Sequence, residues 1–194
     1  MKKIENTTLS SQESGNRFIK VPLCLQENPY TCGVACVQSL LARYGIIYHQ
    51  DVLSKMLKQK PIYGTDYKNI IDFLKRIGFE VSFEVDMDIP LLKELIDQEI
   101  TPILLIQAWK NIEINYNYDW NNSHYAIACG FNHSQIIFMD PWTLGNYTFI
   151  SNKDFMKRWH ALDQSGTHHH CAGLIVRHEF LPLVYEPNIL KAMK

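Results

Sequence analysis

Along these 194 residues the spacing of hydrophobic positions changes partway through, from a helical period to a strand period. Val34, Val37, Leu40, Leu41 and Tyr44 recur at the spacing of one helix face until Gly45 stops the run. Asn28-Pro29 marks a turn ahead of that helix and Thr31 is a suitable N-cap, so Cys32 falls in the first turn. Two shorter amphipathic segments follow at 51–58 and 66–77, the second ended by Gly78. Phe79, Val81, Phe83 and Val85 then alternate with Glu80, Ser82 and Glu84, which predicts a half-buried strand. Pro90 opens a further helix through Asp97. The stretch 102–106 is apolar without alternation, as suits a central strand covered on both faces. Residues 146–150 and 171–176 read as strands, and Ser151 with Asp154 forms a capping box for a helix through Trp159. Helices first and strands later predict an α+β fold with a cleft between the two parts.

Two further apolar runs carry candidate chemistry. One, at 123–130, has His124 near its start, and the other, at 135–142, closes on Asp140-Pro141. Asn132-His133-Ser134 between them has turn composition, so the pair reads as a hairpin. A three-residue loop sets Ala126 opposite Asp140, with His124 one diagonal step away, about 7–8 Å between backbones and within side-chain reach. A two- or four-residue loop would turn Asp140 to the other face. A thiol at a helix N-terminus sits in the positive end of the helix dipole, which favours the reactive thiolate. Cys32, His124 and Asp140 thus supply a nucleophile, a base and an orienting carboxylate. Asp119 and Asn132 are the alternative orienters. Gln26, just upstream of Cys32, is a candidate oxyanion donor.

Composition narrows the class. Hydrophobic residues make up 46% and aromatics 12% of the chain, enough for one large core. A formal net charge of −1 with scattered Lys and Arg gives no basic stripe, so no nucleic-acid partner is expected. No stretch has the length a spanning helix requires, and the charged start lacks an apolar region behind it, so neither a membrane span nor a Sec signal is expected. An odd cysteine count of five favours a reducing, cytoplasmic setting.

The spacing from Gln26 to Cys32, the Cys32-Gly33 helix start, the His124-Tyr125 strand and Asp140-Pro141 after the next strand resemble the papain-like peptidases that process bacteriocin precursors after a double-glycine leader, and their stand-alone relatives. Thr65-Asp66-Tyr67, Ile77-Gly78-Phe79, the run from Thr101 to Ile106, the segment from Ser151 to Phe155, and Arg158-Trp159 also fit that family. The resemblance implies a papain-like fold over 20–178, with an extension at 1–19 and a tail at 179–194. Its helical half would carry the nucleophile against an antiparallel sheet carrying His and Asp. It further implies Cys32 as nucleophile, His124 as base, Asp140 as orienter and Gln26 in the oxyanion hole. The implied activity is that of a cysteine peptidase acting through a thioester on a peptide or protein, with no metal or organic cofactor. The family's domain is usually carried by a transporter, and whether one is a partner here is left open. Transfer of the acyl group to an amine is the alternative reaction. A non-catalytic peptide-binding module is the contrasting class, and loss of Cys32 or His124 would have been its mark.

The segment 107–122 is rich in aromatics and asparagine. Trp109, Tyr118 and Trp120, with Tyr125 on the following strand, are the candidate peptide-gripping side chains, the alternative being a loop tucked on the core. Cys24, Cys36, Cys129 and Cys171 read as packing, with Cys36 also a conceivable redox partner of Cys32. Cys32 and Cys36 have the spacing of half a zinc site, but no second pair stands at finger spacing. His168-His169-His170 reads as a solvated loop.

Overall fold

The structure is a computed structural model and describes residues 15–108, 114–143 and 145–190. Its first long helix, α1 (Cys32–Arg43), ends where Gly45 takes φ +76°. That left-handed turn lets Gly45 N donate to Ala42 O at 3.1 Å and Ile46 N to Leu41 O at 3.1 Å, meeting carbonyls the helix end would otherwise leave unpaired. At its other end Thr31 occupies the cap position without capping. The hydroxyl instead bonds Asn28, donating to its carbonyl at 3.1 Å, so the turn before the helix is tightened while the Thr31 side chain leaves the first helical amides uncapped. α2 (Gln50–Met56) and α3 (Tyr67–Arg76) follow, the latter capped by Asp66, whose carboxylate accepts from Lys68 N. α4 (Ile89–Asp97) is capped by Asp88, and α5 (Asn152–Arg158) by Ser151, which accepts from Asp154 N at 3.1 Å.

The main sheet is antiparallel throughout. Its order runs β2 (Glu80–Glu84), β9 (Gly173–Arg177), β3 (Ile103–Gln107), β4 (Ser123–Phe131), β5 (Gln135–Met139) and β6 (Thr148–Ser151). β1 (Arg17–Phe18) pairs with the end of β4. Successive strand residues face opposite sides, and the two sides bury separate clusters. Ile103, Ile127, Ile137 and Met139 pack with α1, α2 and α3. Leu104, Ala126, Ala128, Ile136 and Phe138 pack with Leu92, Leu95 and Ile96 of α4 and Phe155 of α5. The sheet therefore has helices on both faces, a layer more than helical half against sheet implies.

A second, two-stranded sheet joins β7 (His160–Leu162) to β8 (His168–His170). The three histidines are thus strand residues rather than a solvated loop. His169 is buried and its Nε2 lies 3.0 Å from Asp163 Oδ2, while His168 stacks on Trp120 with ring centroids 4.2 Å apart.

Candidate active site

A backbone correction sets the geometry of the site. The β4–β5 turn is tighter than three residues: Asn132 N donates to Gln135 O at 3.0 Å and Phe131 faces Ile136. Left alone, that register would turn Asp140 away from His124. A bulge at Cys129 inserts one unpaired residue, after which Ala128 faces Phe138 and Ile127 faces Met139. Counting on, Ala126 falls opposite Asp140, and His124 and Asp140 meet with His124 Nε2 2.8 Å from Asp140 Oδ1. Neither Asp119 nor Asn132 has that place. Asp119 bonds Asn121 and Asn122, and Asn132 bonds within the turn.

Asp140 is 1% exposed and held by several donors. Trp142 N reaches Oδ1 at 3.0 Å and the Thr143 hydroxyl reaches Oδ2 at 3.4 Å. His124 also bonds the Cys32 side chain.

Cys32 meets the strand at its edge. Ala128 N donates to Pro102 O on the β3 side at 3.0 Å, so by alternation the Tyr125 amide points to the side where β5 has already ended at Asp140-Pro141. The sulfur takes that open amide and the amide of Gly33. Burial alone would push the thiol up, but the hydrogen bond and charge of His124, with those two amides, outweigh it and hold Cys32 below its ordinary 9.0. Burial alone would likewise depress His124. Its bonds to Asp140 and Cys32, and their charges, instead hold it well above its ordinary 6.5. Both shifts run in the direction that favours a thiolate beside an imidazolium. Gly33 allows the close fit, since a Cβ there would lie 3.1 Å from the Tyr125 ring and 3.2 Å from Thr65 Cβ.

The other thiols differ in kind. Burial pushes Cys24 up to about 11 and Cys129 up to about 12. Burial raises Cys36 well above its ordinary value, helped by the charges of Cys32, Asp140 and Cys24, and it raises Cys171, helped by Asp86 and Asp88.

Cys32 and His124 lie in a cleft of about 300 Å³. Trp120 and Tyr125 line it. Tyr118 is 81% exposed and does not line the cleft, and Trp109 lies outside the described residues. Much of the wall comes from residues sequence reasoning gave no role: Tyr30, Ile62, Tyr63, Leu162 and Gln164. Tyr125 OH donates to Thr65 O at 3.0 Å, and Gln164 Nε2 bonds Tyr63 O at 3.1 Å, tying opposite rims together.

Gln26 is 7% exposed and is not among the residues that line the cleft. Its Nε2 donates to Asn28 O at 2.7 Å, and its Oε1 has no hydrogen-bond partner among the described residues. Among the described residues no three His, Cys, Asp or Glu are grouped to hold a metal ion, and no helix is long and apolar enough to cross a membrane.

A fold with helices flanking an antiparallel sheet, and a cysteine at a helix N-terminus against a His-Asp pair, define a papain-like thiol peptidase. The profile of the Peptidase C39 family matches residues 20–162, and the chain belongs to that family. It is a cysteine peptidase. Three solved structures share the fold. The peptidase domain of Streptococcus ComA, a bifunctional ABC transporter involved in quorum sensing, is 22% identical with a TM-score of 0.61, over 81% of this chain and 98% of that one. A double-glycine-motif protease from an AMS/PCAT transporter, solved with the leader peptide, is 17% identical with a TM-score of 0.60, over 84% and 95%. A C39-like peptidase from Bacillus anthracis is 13% identical with a TM-score of 0.64, over 84% and 98%. No curated protein sequence matches the chain.

Proposed function

We propose that the chain hydrolyses a peptide bond following a Gly-Gly pair in a leader or precursor peptide, with Cys32, His124, Asp140 and Gln26 as its machinery. The observation that carries this is the hydrogen-bonded chain from Cys32 through His124 to Asp140 inside a cleft. The thiolate attacks the scissile carbonyl carbon. The oxyanion that forms accepts from the Cys32 amide, one of the open amides of the first helical turn, and from Gln26 Nε2, whose second hydrogen is not needed by Asn28. His124 then gives its proton to the leaving amine, the C–N bond breaks and a thioester remains. Water loses a proton to the now neutral His124, attacks the thioester and releases the carboxylate and the thiolate. Asp140 keeps the imidazole oriented throughout.

The leader-type substrate is supported by family membership and by the complex of the related protease with its leader peptide. Reduced surroundings such as the cytoplasm suit a thiol nucleophile in a chain whose five cysteines are all free.

Mass spectrometry of a synthetic precursor peptide tests the reading. The expected products are two fragments cut after Gly-Gly whose masses sum to the substrate plus one water. Replacing the Gly-Gly pair by Val-Val is expected to stop cleavage. Equal cleavage of both peptides would overturn the substrate class, and a fragment joined to an added amine in place of water would overturn hydrolysis.

A further inference from the structure

Gln26 lies in a stretch of backbone gripped from both sides. Its own amide donates to Pro141 O at 2.9 Å, one residue beyond Asp140. The flanking peptide groups meet a single side chain. Gln50 Nε2 donates to Leu25 O at 2.7 Å, and Gln50 Oε1 accepts from Glu27 N at 3.2 Å. In an extended chain the carbonyl of one residue and the amide two residues on point to the same side, where a neighbouring strand would pair with them. Here a side-chain amide does the work of that strand.

Gln50 is the first residue of α2 and is 8% exposed. A buried amide is tolerated when its polar atoms are paired, and both of its are. Its Nε2 also donates to Gln38 Oε1 at 3.0 Å, and Gln38 Nε2 donates to Tyr48 O at 2.8 Å. Gln38 belongs to α1, which opens with Cys32. One network therefore joins the nucleophile's helix to the segment that carries Gln26.

We infer that Gln50 is a positioning residue: by bonding Leu25 O and Glu27 N it fixes the backbone on both sides of Gln26 and so aims the Gln26 amide at the oxyanion. The inference rests on the oxyanion reading of Gln26 given above. With both flanking peptides fixed, the Gln26 Cα–Cβ direction is set, and the bond to Asn28 O fixes the far end of the side chain. Without Gln50 the Leu25 carbonyl and the Glu27 amide would lose these bonds, and the donor would shift against a target whose geometry tolerates little error.

Two reactions of the same thiol separate positioning from general disruption. Acylation of Cys32 by p-nitrophenyl acetate passes through an oxyanion, whereas alkylation by iodoacetamide displaces iodide at a saturated carbon and forms none. Both rates are measured for the intact chain, Gln26→Ala, Gln50→Met and the double variant, each normalised to titratable thiol at residue 32. Gln26→Ala is expected to slow acylation about 10²-fold, and alkylation hardly at all. Gln50→Met is expected to slow acylation about 10-fold or more at saturating ester while leaving alkylation within about two-fold. In the Gln26→Ala background the same change should cost less than about two-fold, because the group it aims is gone. Should Gln50→Met fail to fold, Gln50→Glu, which keeps the acceptor for Glu27 N and loses the donor to Leu25 O, goes through the same cycle with a smaller expected loss. Equal slowing of acylation with and without Gln26, slowing of alkylation as well, or no slowing of acylation by Gln50→Met would overturn the role of Gln50 and leave that of Gln26 intact. Full acylation by Gln26→Ala would instead overturn the oxyanion reading, and the role of Gln50 with it.

Discussion

Cys32→Ala is expected to lower kcat on a cleaved peptide by roughly 10⁶-fold, the scale of losing a nucleophile outright, while the chain stays folded. No other thiol can stand in. Cys36 lies one helical turn on, fully buried, and every other cysteine is held above its ordinary value by burial. The fold should survive because His124 keeps its bond to Asp140 and the small cavity opens on the cleft rather than in the core. Turnover and a thermal melt of the same preparation check both halves. Activity above about one part in 10³ in homogeneous Cys32→Ala would mean that another group performs the chemistry.

The second large effect concerns Asp140, where two substitutions should part company. Asp140→Ala leaves His124 Nε2 buried without its partner and is expected to lower kcat/KM by about 10²–10⁴-fold, the contribution of a well-oriented acid-base group. Asp140→Asn should cost much less. An amide oxygen can still accept from His124 and from Trp142 N, and the amide nitrogen can donate to the Thr143 hydroxyl. What the amide lacks is charge, and that appears in the pH profile. The reactive pair exists above the thiol's pKa and below the imidazole's. Cys32 is held below 9.0 and His124 above 6.5, so the acid limb of kcat/KM should lie below pH 9.0 and the alkaline limb above pH 6.5. The Asp140 hydrogen bond and charge are among the causes holding His124 up, so Asp140→Asn should move the alkaline limb to lower pH. Both limbs belong to the coupled pair and not to single residues. An alkaline limb unmoved by Asp140→Asn would remove Asp140 from the pair.

Most helices and strands were legible in period and punctuation, because α1, α3 and the capping residues Asp66 and Ser151 satisfy local rules that tertiary packing does not override. The meeting of His124 with Asp140 was reached by an incomplete route. The composition of residues 132–134 predicts a three-residue turn, whereas a tighter turn and the bulge at Cys129 together give the same facing. A bulge costs one residue and leaves no compositional mark in an apolar strand, so sequence could not supply it. Thr31 shows a residue suited to one role taking another, since its hydroxyl bonds Asn28 and not a helix amide. The polarity of the histidine triplet predicts solvent exposure, while Asp163 and Trp120 supply partners outside it. Gln50 and the rim residues Tyr63 and Gln164 belong to no motif and act through long-range contacts, which local patterning does not encode.

The most direct test of the thiolate-imidazolium site is the pH dependence of alkylation at each cysteine, followed by peptide mapping with one equivalent of iodoacetamide. The account predicts that Cys32 is labelled ahead of Cys24, Cys36, Cys129 and Cys171, and still reacts quickly below pH 9.0, where an ordinary thiol is mostly protonated. It also predicts that His124→Ala returns the Cys32 rate to that of an ordinary thiol. Even labelling of several cysteines in the folded chain, or a Cys32 rate unchanged by His124→Ala, would contradict it.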